Sequence, residues 1–200
     1  MTQTSDPVSD RIIAAALRAI DENGPSSLRV VPVSRDAGVS QGMIRYYFGD
    51  RQGLVDAALA ARFAQRFGEF LDDFAAAAAR CSTQDEFRVV ISRVLEAVFV
   101  PARTTMRLER NSDVGEAVAR PSLATKIAEQ RDKALHTLRD VVGDAQSRGL
   151  MRTDVDAEAV AAFHLAMVHG YSMFELGERT IDFSAFNETY RRALFCLIFG

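Results

Sequence analysis

The sequence predicts an all-α protein of about nine helices, and three observations carry that expectation. Ala, Leu, Arg, Glu and Gln are abundant, and all five favour helix. Apolar residues recur at helical spacing through most of the 200 residues, whereas the strict alternation of a half-buried strand is scarce. Glycine, proline and short polar capping residues fall between the apolar stretches, where helices would start and stop.

Each element follows from local chemistry. Asp6 before Pro7 places an N-cap oxygen ahead of a proline at the first helical position. Ile12, Ile13, Ala16, Leu17 and Ile20 then share one helix face, and Asn23-Gly24-Pro25 ends it. A short helix from about Val31 to Ala37 carries Pro32 in its first turn, where the missing N–H is not needed. Gly38 can take positive φ, Ser40 caps a helix from Gln41 to Phe48, and Gly49 breaks it. Asp50 caps a long helix from Arg51 to about Ala79. Thr83 and Glu86 have capping-box spacing ahead of a helix over 84–99. Pro101 ends that helix, and another follows over 102–119. Pro121 opens a helix that runs to Arg148 and stops at Gly149. Asp154 or Asp156 caps the next, which reaches Leu176, and Ser184–Phe199 form the last.

Composition narrows the function classes. Hydrophobic residues make up 48%, charged residues 26%, and the net charge is −3, which describes an ordinary folded chain. No stretch approaches the roughly 18 uncharged apolar residues of a membrane span, and the N-terminus lacks a secretion pattern, so no membrane partner and a cytoplasmic address are expected. Cys81 and Cys196 have no CxxC spacing and suggest neither a disulfide framework nor a zinc site. His164 and His169 are five positions apart and do not share a helix face as a metal pair would. With no nucleophile elbow, metalloprotease motif or phosphate-cradling loop in the sequence, neither catalysis nor a cofactor or metal is expected.

Two short helices joined by a glycine turn, behind a longer supporting helix, have the pattern of a helix-turn-helix unit. Val39, Ile44 and Phe48 are spaced to pack inward. Ser40, Gln41, Gly42, Met43, Arg45, Tyr46 and Tyr47 are left to line the opposite face, which suits a B-DNA major groove. Gln41 matches an adenine edge, Arg45 a guanine edge, and the tyrosine hydroxyls match phosphates. Arg51 would meet the backbone, and Arg29 is a further candidate. Residues 1–55 hold six Arg and six Asp or Glu, so this head is electrically balanced overall. An acidic chain argues against coating nucleic acid nonspecifically and leaves room for reading one short site.

Residues Arg11 to Leu59 resemble the DNA-binding domain of the TetR family of bacterial repressors. The likeness rests on Ala37-Gly38-Val39-Ser40, on Tyr46-Tyr47-Phe48, and on Asp50-Arg51 with Leu54. Val31, Pro32 and Met43 depart from the polar, basic and threonine residues common there. Asp156-Ala157-Glu158-Ala159 leading to His169-Gly170-Tyr171 is similar to the last part of BetI-like members. The resemblance implies a head over 1–55, a helical effector-binding and dimerisation domain over 56–200, and a palindromic operator in double-stranded DNA. It implies a homodimer through the last two helices, for which Phe163, Met167, Phe174, Phe186, Tyr190, Leu194 and Leu197 are candidates. It also implies a cavity for a small-molecule effector of unknown identity. Phe63, Phe67, Phe70, Met106, His136, His164 and Tyr171 are candidates to line it. Arg103, Arg107, Glu109, Arg110 and Asp113 on one helix read as a solvated face, the alternative being an anionic effector meeting one of the arginines. The rivals are an activator, or a repressor switched by a partner protein in place of a small molecule, and, from another class, a helical ligand-binding or scavenging protein that has lost DNA binding.

Overall fold

The computed structural model describes residues 7–68, 70–178 and 181–200, excepting the side chains at 67 and 68. Among these residues there is no strand, and the chain is built of ten α-helices and three short 3-10 turns. The helices are α1 (Pro7–Asn23), α2 (Val30–Ala37), α3 (Gln41–Phe48), α4 (Arg51–Gly68) and α5 (Leu71–Ala79). They continue as α6 (Gln84–Phe99), α7 (Thr104–Val118), α8 (Pro121–Ser147), α9 (Ala157–Tyr171) and α10 (Phe183–Phe199). The single helix expected from Arg51 to Ala79 is two helices, α4 and α5, interrupted after Gly68. Glycine is a poor helix former, and Asp72 and Asp73 favour a fresh N-terminus at Leu71. The tail expected to continue α9 to Leu176 tightens into a 3-10 turn over Ser172–Glu175.

One compact unit takes the chain up to Gln65 together with Asp113–Ala128. Ile12, Ala16 and Ile20 of α1, Val33 and Ala37 of α2, Ile44 of α3 and Leu54 and Leu59 of α4 are among its buried residues. Val39 and Phe48 are half-buried beside Ile44. Pro7 opens α1, and the expected Asp6 cap lies outside the described residues. Gly38 has φ 66° at the end of α2, and the Ser40 hydroxyl accepts from Met43 N at 3.2 Å to start α3. Asp50 Oδ1 accepts from Gly53 N at 2.8 Å at the start of α4. A Cβ at Gly53 would lie 2.0 Å from the Phe48 carbonyl oxygen, so no side chain fits there.

Within this unit Arg62 pairs with Asp21 at 2.8 Å and with Asp113, which is fully buried. Burial works against the Arg62 charge, but its bonds to Asp113 and Asp21 outweigh that and raise its pKa. Asp56 is also buried. It accepts from Gln52 Nε2 at 2.8 Å and lies 3.7 Å from Arg120.

The second unit takes Arg66–Ser112 and Glu129–Gly200. The capping box at Thr83 and Glu86 is formed, Asp156 caps α9 through Ala159 N at 2.7 Å, and Asp182 caps α10. Phe87, Leu95, Phe99, Val141, Met151, Tyr171, Tyr190, Leu194 and Ile198 share its core. Arg148, just after α8, donates to the carbonyl of Ala78 in the last turn of α5 and to that of Cys81 just beyond it. Gly149 then turns the chain at φ 70°.

The solvated face expected on the 102–119 helix is not found. Arg107, Arg110 and Asp113 are 3%, 8% and 0% exposed. Arg103, in the 3-10 turn just before α7, and Arg107 and Arg110 within α7 follow i, i+4, i+7 spacing.

Candidate nucleic-acid interface and ligand cavity

The outer face of α3 is built by the turn that precedes it. Gly38 reverses the chain, Ser40 satisfies an orphan N–H, and Ile44 is pulled into the core. Gln41, Gly42, Met43, Arg45 and Tyr46 are thereby left exposed, Tyr46 at 84%. Tyr47 is half-buried, edge-on to Tyr46 with ring centroids 5.2 Å apart and tilted against Phe48 at 6.2 Å. An exposed phenol beside an exposed guanidinium and a carboxamide gives the face both donors and acceptors. Ser40 is exposed as well, with its hydroxyl engaged in the cap.

Arg51 does not point to such a surface. Its Nε donates to the Leu28 carbonyl at 2.8 Å, and its Nη2 donates to Pro25 and Ser26 at 2.9 and 2.7 Å. This corrects the expected phosphate contact. The guanidinium ties the start of α4 to the 3-10 turn at Pro25–Ser27. Arg29 remains exposed and rests Nη1 against the carbonyls of Ser26, Ser27 and Leu28 at 3.2 to 3.4 Å. Arg18 bonds Asp36 at 2.5 Å, fastening α1 to α2.

A cavity of about 140 Å³ lies inside the second unit. Its walls are apolar for the most part, including Phe74, Phe87, Ile91, Leu95, Val141 and Leu194. Of the residues expected to line an effector site, Phe70, Met106 and His164 are on this wall. Phe63 is a buried residue of the other unit, and His136 is exposed on α8. Tyr171 is packed among Phe99, Phe183 and Phe186 at 4.6, 5.0 and 5.5 Å and is not on the wall. The Phe67 side chain lies outside the described residues. Arg103, Arg107 and Arg110, which the sequence marks only under the alternative of an anionic effector, are on the wall, and Arg66, which no sequence signal marks, joins them.

The polar groups of the wall are firmly held. Arg107 forms a bidentate pair with Glu175, 2.7 Å from Nε and 2.5 Å from Nη2, and donates to the Val98 carbonyl at 2.7 Å. Arg66 pairs with Glu109, and the Arg103 guanidinium lies 3.6 Å over the Phe70 ring. His164 Nδ1 is 2.7 Å from the Tyr190 hydroxyl. Burial, with Arg110 nearby, lowers the His164 pKa to about 4, so the ring is neutral at physiological pH. Burial also raises the Tyr190 pKa, which keeps the phenol protonated. Arg110 is lowered to about 10 by burial and by Arg107.

The face considered for dimerisation separates into two sets. Tyr190 and Leu194 are buried within the chain, Leu194 on the cavity wall, which removes them from any outward face. Phe163 and Phe174 are 39% and 46% exposed, and Met167, Phe186 and Leu197 are half-buried. Phe163 and Leu197 line a shallow groove with Val155, Ala159 and Ala193 along α9 and α10.

Residues 12–58 match the sequence profile of the bacterial regulatory proteins of the tetR family. Over 95 residues the chain is 33% identical to HTH-type transcriptional regulator BetI 2 of Chromohalobacter salexigens. That stretch is 48% of this chain and 44% of the relative, so the match spans under half the relative's length. A Rhodococcus sp. protein assigned to the TetR family aligns over 95% of both chains with a TM-score of 0.66 and 26% identity. A candidate transcriptional regulator from Saccharomonospora viridis, solved in complex with choline, aligns over 94% of both chains with a TM-score of 0.60 and 20% identity, a likeness of fold alone. Residues 12–58 thus carry a helix-turn-helix head like that of the tetR family of bacterial regulatory proteins, within an all-α chain whose fold is that of TetR-family structures.

Proposed function

We propose that the protein is a ligand-responsive transcriptional regulator, acting as a repressor in the cytoplasm, that binds a palindromic operator as a homodimer and is released by a small-molecule effector. The exposed face of α3 carries this reading. Gln41, Gly42, Met43, Arg45 and Tyr46 stand clear of the core, with Ser40, Tyr47 and Arg29 at its margins. The head over 1–55 reads DNA, and 56–200 hold the effector and the partner. Phe163, Met167, Phe174, Phe186 and Leu197 are the residues of α9, α10 and their connection still available to a second copy. Two such heads would meet successive major grooves about 34–36 Å apart. Effector bound in the cavity, against Phe70, Met106 and His164, favours a state in which that spacing is lost. A coupling of about 1–3 kcal/mol suffices to change occupancy severalfold.

Selection of bound fragments from the source genome, followed by fluorescence anisotropy on the enriched site, tests this directly. A roughly palindromic site bound at nanomolar concentration is the expected result. Arg45→Ala should weaken binding by about tenfold to a hundredfold and relax specificity at one base pair in each half-site. No enriched site, or an Arg45→Ala variant that binds as the parent does, would return the protein to a ligand-binding role without DNA.

A further inference from the structure

Resting on the reading of this cavity as the effector site, we infer that its ligand is a small uncharged molecule, an apolar body with one carbonyl oxygen that His164 Nε2–H holds. The volume of about 140 Å³ is close to that of cavities that accept benzene. The charged groups among the described wall residues are four arginines, and each is already engaged. Arg66 pairs with Glu109, Arg107 holds Glu175 and the Val98 carbonyl, and Arg103 lies over Phe70. Arg110 bonds the Val168 carbonyl and is held within the fold besides. A charged ligand of either sign would leave its water behind on entry. It would gain a counter-charge only by drawing one of these groups from its partner. An uncharged ligand meets neither cost.

With the arginines set aside, His164 is the one polar side chain on the described wall. Tyr190, packed behind it, fixes its tautomer. The phenol is 3% exposed, and His164 Nδ1, at 2.7 Å, is the sole hydrogen-bond partner of its hydroxyl among the described residues. A buried O–H left without an acceptor costs its full desolvation, so the phenol proton goes to Nδ1. In a neutral imidazole the hydrogen then sits on Nε2, which becomes a donor. That Nε2–H has no acceptor among the described residues, although His164 shares its helix face with the wall residues Val160, Ala161 and Val168. A neutral lone pair is what it lacks. A carbonyl answers this need better than a hydroxyl, because a hydroxyl brings a proton of its own. The wall side chains offer no oxygen to take that proton, and Nδ1 is occupied. The apolar body of the ligand rests on Phe74, Ile91 and Leu194.

Probes built on one ring separate the acceptor from charge: cyclohexanone, methylenecyclohexane, cyclohexanecarboxylate and cyclohexylammonium. Binding is read by calorimetry and located by the ε-methyl NMR signals of Met106 and Met151, both on the wall. Cyclohexanone should bind and shift both methyl signals, and the two ions should bind at least about tenfold more weakly. His164→Phe combined with Tyr190→Phe replaces both polar partners by rings of similar shape and leaves no orphan behind. This double variant should bind cyclohexanone about tenfold more weakly and methylenecyclohexane within about twofold of the parent. If it does not fold, the imidazole ¹⁵N signals of the parent decide. Nε2 should carry the hydrogen, and its signal should move with cyclohexanone but not with methylenecyclohexane. Either ion binding as tightly as cyclohexanone overturns the inference. So does a bare Nε2, an undiminished affinity of the double variant for cyclohexanone, or the absence of methyl shifts with cyclohexanone. Operator affinity is followed in parallel. A ketone that fills the cavity without weakening DNA binding removes the effector reading and leaves the carbonyl site standing. An ion that fills the cavity and releases DNA does the reverse.

Discussion

Asp113 has no exposed surface and pairs with Arg62, which also holds Asp21. Removing one partner of a buried pair leaves an uncompensated charge, so Asp113→Asn should destabilise the protein by roughly 3 kcal/mol in urea unfolding. A loss below about 1 kcal/mol would mean that water reaches the site. His164 makes a prediction of opposite character. Its ring titrates near pH 6.5 when unfolded and near 4 when folded, so unfolding takes up a proton between those values. The stability it supports is complete above pH 6.5 and declines as pH falls through this window, by at most about 3 kcal/mol. Comparing the pH dependence of unfolding for the parent and His164→Gln isolates that contribution, and parallel curves would show that His164 is already hydrated. The sequence marks His164 only as a candidate for the cavity wall and Asp113 only as part of a solvated face, without the partners that hold them. A lone histidine on an apolar stripe and an aspartate in a charged run look like ordinary core and ordinary surface until their partners, 26 and 51 positions away, are known.

Helix boundaries were largely legible because caps act over three or four residues. Ser40, Asp50, Thr83 with Glu86, and Asp156 all cap as their positions suggest. The break after Gly68 was not, since one glycine in a helical stretch lowers propensity without dictating a stop. Two glycines of the head now part company. Gly53→Ala would drive a Cβ into the Phe48 carbonyl, so the α3–α4 junction must open. A loss of about 2 kcal/mol or more, seen as a lowered Tm, is expected. Gly42→Ala would meet only the Ser40 hydroxyl at 3.6 Å, an ordinary contact within a helix. It should raise stability by roughly 0.5–1 kcal/mol, and operator affinity would then report whether that face tolerates a methyl group against DNA.

At the scale of the molecule, fold class and helix order were readable from periodicity, while the cavity was only partly so. Phe70, Met106 and His164 reach it, yet Phe63 and Tyr171 go to packing, because an amphipathic stripe does not say which of its members meets a void. The groove along α9 and α10 is the proposed seam between two copies. Phe163→Glu with Leu197→Glu should yield monomers by sedimentation and weaken operator binding, the single heads reading too few base pairs. A dimer that survives both changes would move the interface elsewhere. The first compact unit also bears on protein engineering. Asp21 reaches Arg62, Asp56 faces Arg120, and Arg51 serves the carbonyls of residues 25, 26 and 28. A hybrid regulator spliced at residue 55 would part Asp21 from Arg62 and Gln52 from Asp56, and a donor head lacking those partners would leave Arg62 and the buried Asp56 each short of one bond. Grafts that carry residues 1–65 together with 113–128 keep those partners on one side of the seam.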